Sequence, residues 1–266
     1  MRPWLLYLGE LRVPNYFFML MLGAALSSGL LVREARRQGL SERKVLDLAM
    51  MMVPIALVGA RLFHVIFERP EAYLADPLMI FQFAGGLVYY GGFIAVWPLG
   101  WWWARREGVS VWTLGDIFCP ATAFALVYGR LGCLGAGCGY GRPADWPFGE
   151  VVPWAVRHYR RGLLPEELLG VPLHPATLYE ALGCLAIFVW LSRIRTRQRF
   201  DGQVALAFIG GYGVLRIFVE YFRADAERGV YLGGLLSTSQ GISLVFLAVI
   251  PFVWWSLSRA GEPARG

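Results

Sequence analysis

Charge sits where an apolar sequence should exclude it. The segment GGYGVLRIFVEYFRAD carries Tyr212, Arg216, Glu220 and Arg223 along one face of a helix, because successive offsets of four and three residues keep a 3.6-residue period. Arg216 and Glu220 are four apart and within pairing range. Two roles fit such a pair. It is either a buried ion pair that fixes helix packing, or a site in which Arg216, partly held by Glu220, binds an anion. A guanidinium keeps its charge in a low-dielectric site and grips phosphate through two donors.

A second stretch, YGRLGCLGAGCGYGRP, places Arg130 at the end of another apolar run, followed by glycines from Gly132 to Gly141. Gly-rich backbone approaches a ligand closely, and its N–H groups bind anions. Two arginines on different apolar segments point to a phospholipid headgroup. Cys133 and Cys138 lie in the same stretch, five apart, and are either a disulfide or free thiols at a site. Their spacing is not C-x-x-C, and no histidine or second cysteine pair completes a zinc set, so no metal is expected. Cys119 and Cys184 read as small buried hydrophobes. Arg61 and His64 stand in a third apolar run, where pairing or snorkelling explains them.

These side chains need a scaffold, and composition names it. Of 266 residues, 57 % are hydrophobic and 17 % charged, against about 45–50 % and about 25 % in soluble domains. Disorder and disulfide-stapled folds are excluded, and an integral membrane protein follows. Runs of roughly 20 apolar residues mark membrane spans. Seven are expected: Pro14–Val32, Leu48–Phe67, Gly85–Trp103, Thr113–Leu131, Ala176–Leu191, Gln203–Phe222 and Leu235–Leu257. They lack the two-residue alternation of a membrane β-barrel.

Net charge is +6, and Lys44 is the only lysine. The basic residues cluster in short connections: Arg33, Arg36, Arg37, Arg43 and Lys44 in the first, Arg105 and Arg106 in the third, Arg193 to Arg199 in the fifth, Arg259 and Arg265 in the tail. With seven spans all of these fall on one side, which makes that side cytoplasmic and puts the N-terminus outside. No basic face alternates with exposed aromatics, so nucleic acid is not an expected partner. Arg2 and Arg12 precede the first span while a larger cluster follows it, so that span is expected to be retained rather than cleaved as a signal peptide. The expected fold class is therefore an all-α integral membrane protein, a seven-transmembrane helix bundle with a cytoplasmic C-terminus. Residues 1–266 form a single membrane domain, with a long periplasmic loop or head region at about 132–175 between spans four and five. A connection of that length is usually functional.

Six segments resemble the prolipoprotein diacylglyceryl transferase family of bacterial inner-membrane enzymes. They are NYFFMLMLG, GARLFHVIFERPEAYLADPL, GGLVYYGGFIA, GRLGCLGAGCGYGRP, HPATLYE and GYGVLRIFVEYFR. The resemblance implies a seven-span fold with an outside N-terminus. It also implies a reaction in which the diacylglyceryl group of phosphatidylglycerol moves to the lipobox Cys thiol of a preprolipoprotein signal peptide, with no cofactor. By the same resemblance Arg130 and Arg216 stabilise the leaving phosphate. Tyr16 and Tyr212 bind the headgroup or orient the arginines, Glu220 is the partner carboxylate, and Gly141 closes the signature loop. Gly91, Gly92 and Arg223 fall in matching segments as substrate-binding positions.

Three positions depart from the family pattern. Tyr90 stands where the family has a histidine thought to take the thiol proton, and Cys133 and Cys138 stand where it has Asn and Glu. An ordinary tyrosine, with a pKa near 10, is a poor base at neutral pH. Tyr90 is then expected to position lipid while Arg130 and Arg216 activate the thiol. His174 is a second candidate base, or a residue that fixes the long loop at a helix start. Two other functions stay open on these residues: a transferase of the same fold with another donor or acceptor, and a non-catalytic lipid-binding membrane protein.

Overall fold

The computed structural model describes residues 4–8, 11–68, 70–81, 89–144, 151, 153–159, 164–224, 230–231 and 236–260. Apart from two short hairpins and the largely non-helical connection between Gly137 and Pro175, the described chain is mainly helical. The first hairpin, β1 (Trp4–Leu8) and β2 (Leu11–Pro14), leads into α1 (Asn15–Arg37). Then come α2 (Glu42–Phe63), a π-helical turn (His64–Glu68), the short α3 (Pro70–Ala75), a 3-10 turn (Pro77–Phe81) and α4 (Tyr89–Glu107). The chain continues through α5 (Val111–Ala136), α6 (Ala176–Arg195) and α7 (Gln203–Glu220). A second hairpin, β3 (Val230–Tyr231) with β4 (Leu236–Ser237), precedes α8 (Thr238–Ala260).

Six helices among the described residues are long and apolar enough to cross a membrane: α1, α2 with its π-helical turn, α5, α6, α7 and α8. The third expected span coincides with α4, which does not reach the same hydropathy. Its three consecutive tryptophans, its glycines and the charged end Arg105–Glu107 lower the mean without breaking the helix. Several helices run beyond the apolar stretch that marked them. The α2 helix starts at Glu42 and α5 runs on to Ala136, because a backbone already helical continues until a breaker stops it.

Polarity is arranged inside out. Met21, Met50, Val245 and Phe252 are exposed, while Asp116 and Glu180 are fully buried. In water this pattern would be an aggregation hazard; against lipid it is the expected one. Four of these helices carry an internal proline, at Pro54, Pro98, Pro120 and Pro251, as membrane helices tolerate.

The chain forms two compact units, residues 31–117 and residues 1–30 with 118–266. In the first, α2 and α4 pack through small residues. A Cβ on Gly91 would collide with the Gly59 carbonyl oxygen and Phe63, and one on Gly92 would sit 2.8 Å from the Ala56 carbonyl oxygen. Gly59 and Gly91 thus let two backbones touch, the usual way membrane helices gain contact area. Lys44 closes the other end on Glu107 at 2.8 Å. Arg61 neither snorkels nor waits for a ligand. Its guanidinium donates to the Ile80 carbonyl at 3.1 Å and the Met79 carbonyl at 2.5 Å, and lies over the Tyr73 ring. It ties the 3-10 turn to α2, with His64 edge-on to the same ring.

In the second unit Ala123 of α5, Ile187 and Leu191 of α6, and Val204 and Ala207 of α7 form an apolar core. Cys184 is buried beside it as expected of a small hydrophobe. The N-terminal half of α1 packs on α5, where a Cβ on Gly132 would lie 3.2 Å from the Tyr16 backbone.

Candidate functional site

Glu180, the last residue of HPATLYE, is fully buried on the second turn of α6 and gathers the charges of the second unit. Its Oε1 accepts from the Tyr212 hydroxyl at 2.9 Å and pairs with Arg130 Nη2 at 2.9 Å. Its Oε2 lies 3.6 Å from Arg216 Nη1 and 4.0 Å from Arg223 Nη1. Arg216 Nη2 reaches Glu220 Oε2 at 3.1 Å and donates to Ser239 Oγ at 3.2 Å. Three helices and the chain just past α7 thus deliver three guanidinium groups and two carboxylates to one point. Tyr212, Arg216 and Glu220 share the face of α7 read from their spacing; Arg223 lies past the helix end, and it, Tyr212 and Arg216 all reach Glu180. The side chains of Arg130 and Arg216 keep 22 % and 14 % of their surface accessible, while Arg216 Nη1 is itself buried.

The glycine run is not all loop. Helix α5 continues through Cys133 and ends at Ala136, where Gly137 turns to a φ of +83°. The amides of Gly137 and Cys138 both bond back to the Cys133 carbonyl, at 2.9 and 3.2 Å. This is a left-handed helix cap at Gly137, which brings together the side chains four residues before and one after it. The two thiols meet for that reason; both are free. Cys138, outside the span, has its pKa raised by the Cys133 sulfur and by burial, so it is a neutral thiol near pH 7. Tyr16 at the start of α1 is within electrostatic reach of Arg130, Cys133 and Cys138.

Beyond the cap, residues 140–144 are pinned on both sides. Arg142 donates to the Phe222 carbonyl and accepts from the His174 amide, each at 2.9 Å, and the Ala224 amide donates to the Tyr140 carbonyl at 3.1 Å. Gly141 sits in this pairing so tightly that a Cβ would overlap the His174 carbonyl oxygen. His174 Nδ1 lies 3.2 Å from the Tyr179 hydroxyl, which also accepts from Trp154 Nε1 at 2.7 Å. The Tyr179 and Phe222 rings pack against the imidazole at the entry to α6. Of its two sequence readings, the contacts match that of a residue fixing the long connection.

Among the expected site residues, Arg130, Arg216, Tyr212, Glu220 and Arg223 come together, with Tyr16, Cys133 and Cys138 beside Arg130. Gly91 and Gly92 serve the α2 contact described above. Tyr90 is the second residue of α4, and its side chain lies outside the described residues.

Two residues were missed. Glu180 was visible in its motif but carried no spacing relation to the arginines. His158 lies in the long connection with no motif around it. It is buried and lines a small cleft with Cys133, Cys138, Gly141 and His174. Burial lowers its pKa, so the imidazole is neutral at pH 7. Among the described residues no group of three or more His, Cys, Asp or Glu is placed to hold a metal ion.

Fold and site together define a multi-pass membrane protein with a buried arginine–carboxylate centre suited to an anionic headgroup. The sequence profile of prolipoprotein diacylglyceryl transferase matches residues 3–256, and the chain belongs to that family. It is 35 % identical over 259 residues to the phosphatidylglycerol–prolipoprotein diacylglyceryl transferase of Solidesulfovibrio magneticus, covering 95 % of this chain and 92 % of that protein. It is 31 % identical over 265 residues to the Pseudomonas fluorescens protein of the same name, covering 97 % and 94 %. The Vibrio cholerae protein of that name is 33 % identical over 259 residues, covering 95 % and 90 %.

Proposed function

We propose that this chain transfers the diacylglyceryl group of phosphatidylglycerol to the lipobox Cys thiol of preprolipoproteins, in the bacterial inner membrane. The observation that carries the reading is the centre at Glu180, in which Arg130 and Arg216 are gathered from different helices onto one buried carboxylate in a member of this family. The substrate sulfur, as thiolate, forms a bond to the glyceryl carbon that bears the phosphate ester. The C–O bond to phosphate breaks, and glycerol phosphate leaves with the electron pair. Negative charge grows on the departing oxygen, and fixed cations in a water-poor site stabilise it without reorganising. Arg130 and Arg216 take that role. Tyr212 and Glu220 hold them, and Arg223 adds a third cation.

The proton leaves with the thiol's ionisation. A few per cent of an ordinary thiol is already ionised near pH 7, and neighbouring guanidinium groups raise that share. A tyrosine at position 90 is then compatible with turnover, and its role is to position lipid. The seven-span topology with an outside N-terminus, α4 being the third span, places all the basic connections on the cytoplasmic side and the segment 137–175 on the periplasmic side.

The test is mass spectrometry of a synthetic lipobox peptide incubated with the purified protein in phosphatidylglycerol vesicles, with Arg216→Ala as control. A diacylglyceryl mass increase on the peptide Cys, absent in the control, is expected. No increase from folded wild-type protein rejects the reading.

A further inference from the structure

Cys133 and Cys138 are free, half-buried thiols that interact directly and line one small cleft. The cap at Gly137 sets them together, with the Gly137 and Cys138 amides both bonded to the Cys133 carbonyl, at 2.9 and 3.2 Å. Side-chain contact between these two positions belongs to the cap motif itself. The chain is already folded back at this point, so a bond between the sulfurs closes a ring whose ends have met.

The pair also touches the arginine centre from two sides. Cys133 follows Arg130 by three residues on α5, and its sulfur is within electrostatic reach of Arg130, Glu180 and Arg223. Cys138 leads into Gly139, at a φ of +61°, where a Cβ would lie 3.2 Å from Thr177 Cγ2 and 3.5 Å from Arg223 Nη2. Gly141 then pairs with Arg223 across a β-bridge. Movement of Cys138 is therefore passed to Arg223 through three residues that are packed against it or bonded to its segment.

We propose that Cys133 and Cys138 form a modification site for disulfide-class oxidants, and that closing the pair lowers the activity of the arginine centre. The inference rests on the transferase reading, in which this end of α5 faces the oxidising periplasm, and deepens it by giving the site a regulator. One cysteine thiolate attacks a sulfur of the donor disulfide, whose S–S bond breaks and whose first half leaves as a thiolate. The second cysteine thiolate then attacks the protein sulfur of the mixed disulfide. The Cys133–Cys138 bond forms and the donor's other half leaves. Two electrons pass from the cysteines to the donor, and the two cysteine protons end on the two released donor thiols. A disulfide holds its sulfurs about 2.05 Å apart, well inside the contact distance of two thiols. Closure draws Cys138 toward α5 and shifts the segment that packs on Arg223.

The test equilibrates purified protein in nanodiscs with oxidised glutathione, removes the reagent, and reads three quantities. They are intact mass before and after the assay, the initial rate of lipobox-peptide lipidation, and the affinity for glycerophosphoglycerol, a soluble phosphodiester, by titration calorimetry. A loss of two hydrogens without a glutathione adduct is expected. The rate should fall by about tenfold or more, the scale of a misplacement near 1 Å. Probe affinity should fall with it, and dithiothreitol should restore both. Each variant is compared with its own untreated rate. Cys133→Ala with Cys138→Ala should show no response to the oxidant, and Cys119→Ala with Cys184→Ala should keep the full response.

A pair that stays open overturns the proposal, as does a closed pair with unchanged rate and probe affinity, or an equal loss in the variant lacking Cys133 and Cys138. Should that variant be inactive, the one lacking Cys119 and Cys184 decides which thiols respond. Failure of the reduced wild type to lipidate the peptide rejects the transferase reading by itself; probe affinity then decides whether closure reaches the arginines.

Discussion

Removing Arg216 separates its two possible duties, because one of them can be repaired by a second substitution. In wild type, Arg216 Nη2 lies 3.1 Å from Glu220 Oε2, and both side chains are largely buried, with 14 % and 3 % of their surface accessible. At that distance, with an effective dielectric of about 20, the Coulombic attraction is about 5 kcal/mol. Desolvation of the two ions offsets much of it, so a net coupling of about 1–3 kcal/mol is expected in a double-mutant cycle. Arg216→Ala leaves Glu220 buried without that guanidinium and also takes the Nη1 neighbour from Glu180 Oε2, where Arg223 at 4.0 Å remains. Its expected cost is about 3–5 kcal/mol of stability. Arg216→Ala with Glu220→Ala removes that buried carboxylate as well and should recover about 1–3 kcal/mol of that loss.

Activity should behave differently. Loss of a fixed donor to the leaving oxygen costs about 10²–10³ in kcat, and deleting the carboxylate restores none of it. Thermal unfolding in nanodiscs, read beside peptide lipidation, follows both quantities. A double variant that regains activity as it regains stability refutes the argument: Arg216 would then be a packing ion pair and nothing more.

Three further outcomes are expected. Gly141→Ala drives a methyl group into the His174 carbonyl, and the pinned strand of residues 140–144 must part; stability should fall by about 1–3 kcal/mol or more, with loss of lipidation, and a wild-type melting curve would contradict the packing. Mild oxidation with diamide should join Cys133 to Cys138, since the helix cap holds them together. Intact-mass measurement should show two hydrogens lost and two maleimide sites fewer, and full labelling after oxidation would contradict the placement. His158 is buried with its pKa below the ordinary 6.5, so unfolding takes up a proton where pH lies between the folded value and 6.5. Its share of stability is present above about pH 6.5 and is lost as pH falls through it toward the folded value. Wild type should therefore lose more thermal stability than His158→Gln between pH 7 and pH 5.5, and parallel losses would place the imidazole in water.

Much of the architecture could be read along the chain because membrane spans are local. Runs of apolar residues set where helices lie, and Tyr212, Arg216 and Glu220 share a face because helical period is a property of neighbours in sequence, whereas Arg223 falls past the end of the helix. Where reading failed, the cause was a local rule meeting something beyond it. Residues 132–136 look like loop because they are rich in glycine, yet a helix propagating from α5 needs no apolar side chains to continue and stops only where Gly137 takes a left-handed turn. Arg61 reads as a paired or snorkelling charge, and its partners are the carbonyls of a turn nearly twenty residues on, which no local rule locates.

The sequence alone determined that this is a membrane protein, which charges lie inside it and which family motifs hold them. Only the tertiary structure decided what those charges do to one another. Glu180 is fifty residues from Arg130 and thirty-six from Arg216, and no spacing rule relates them. Their meeting depends on α5, α6 and α7 closing around the core of Ala123, Ile187, Leu191, Val204 and Ala207. Apolar burial is non-directional and is paid out over whole helix faces, so it sets which helices touch; the ion cluster at one end is a consequence of that packing, which no segment encodes by itself.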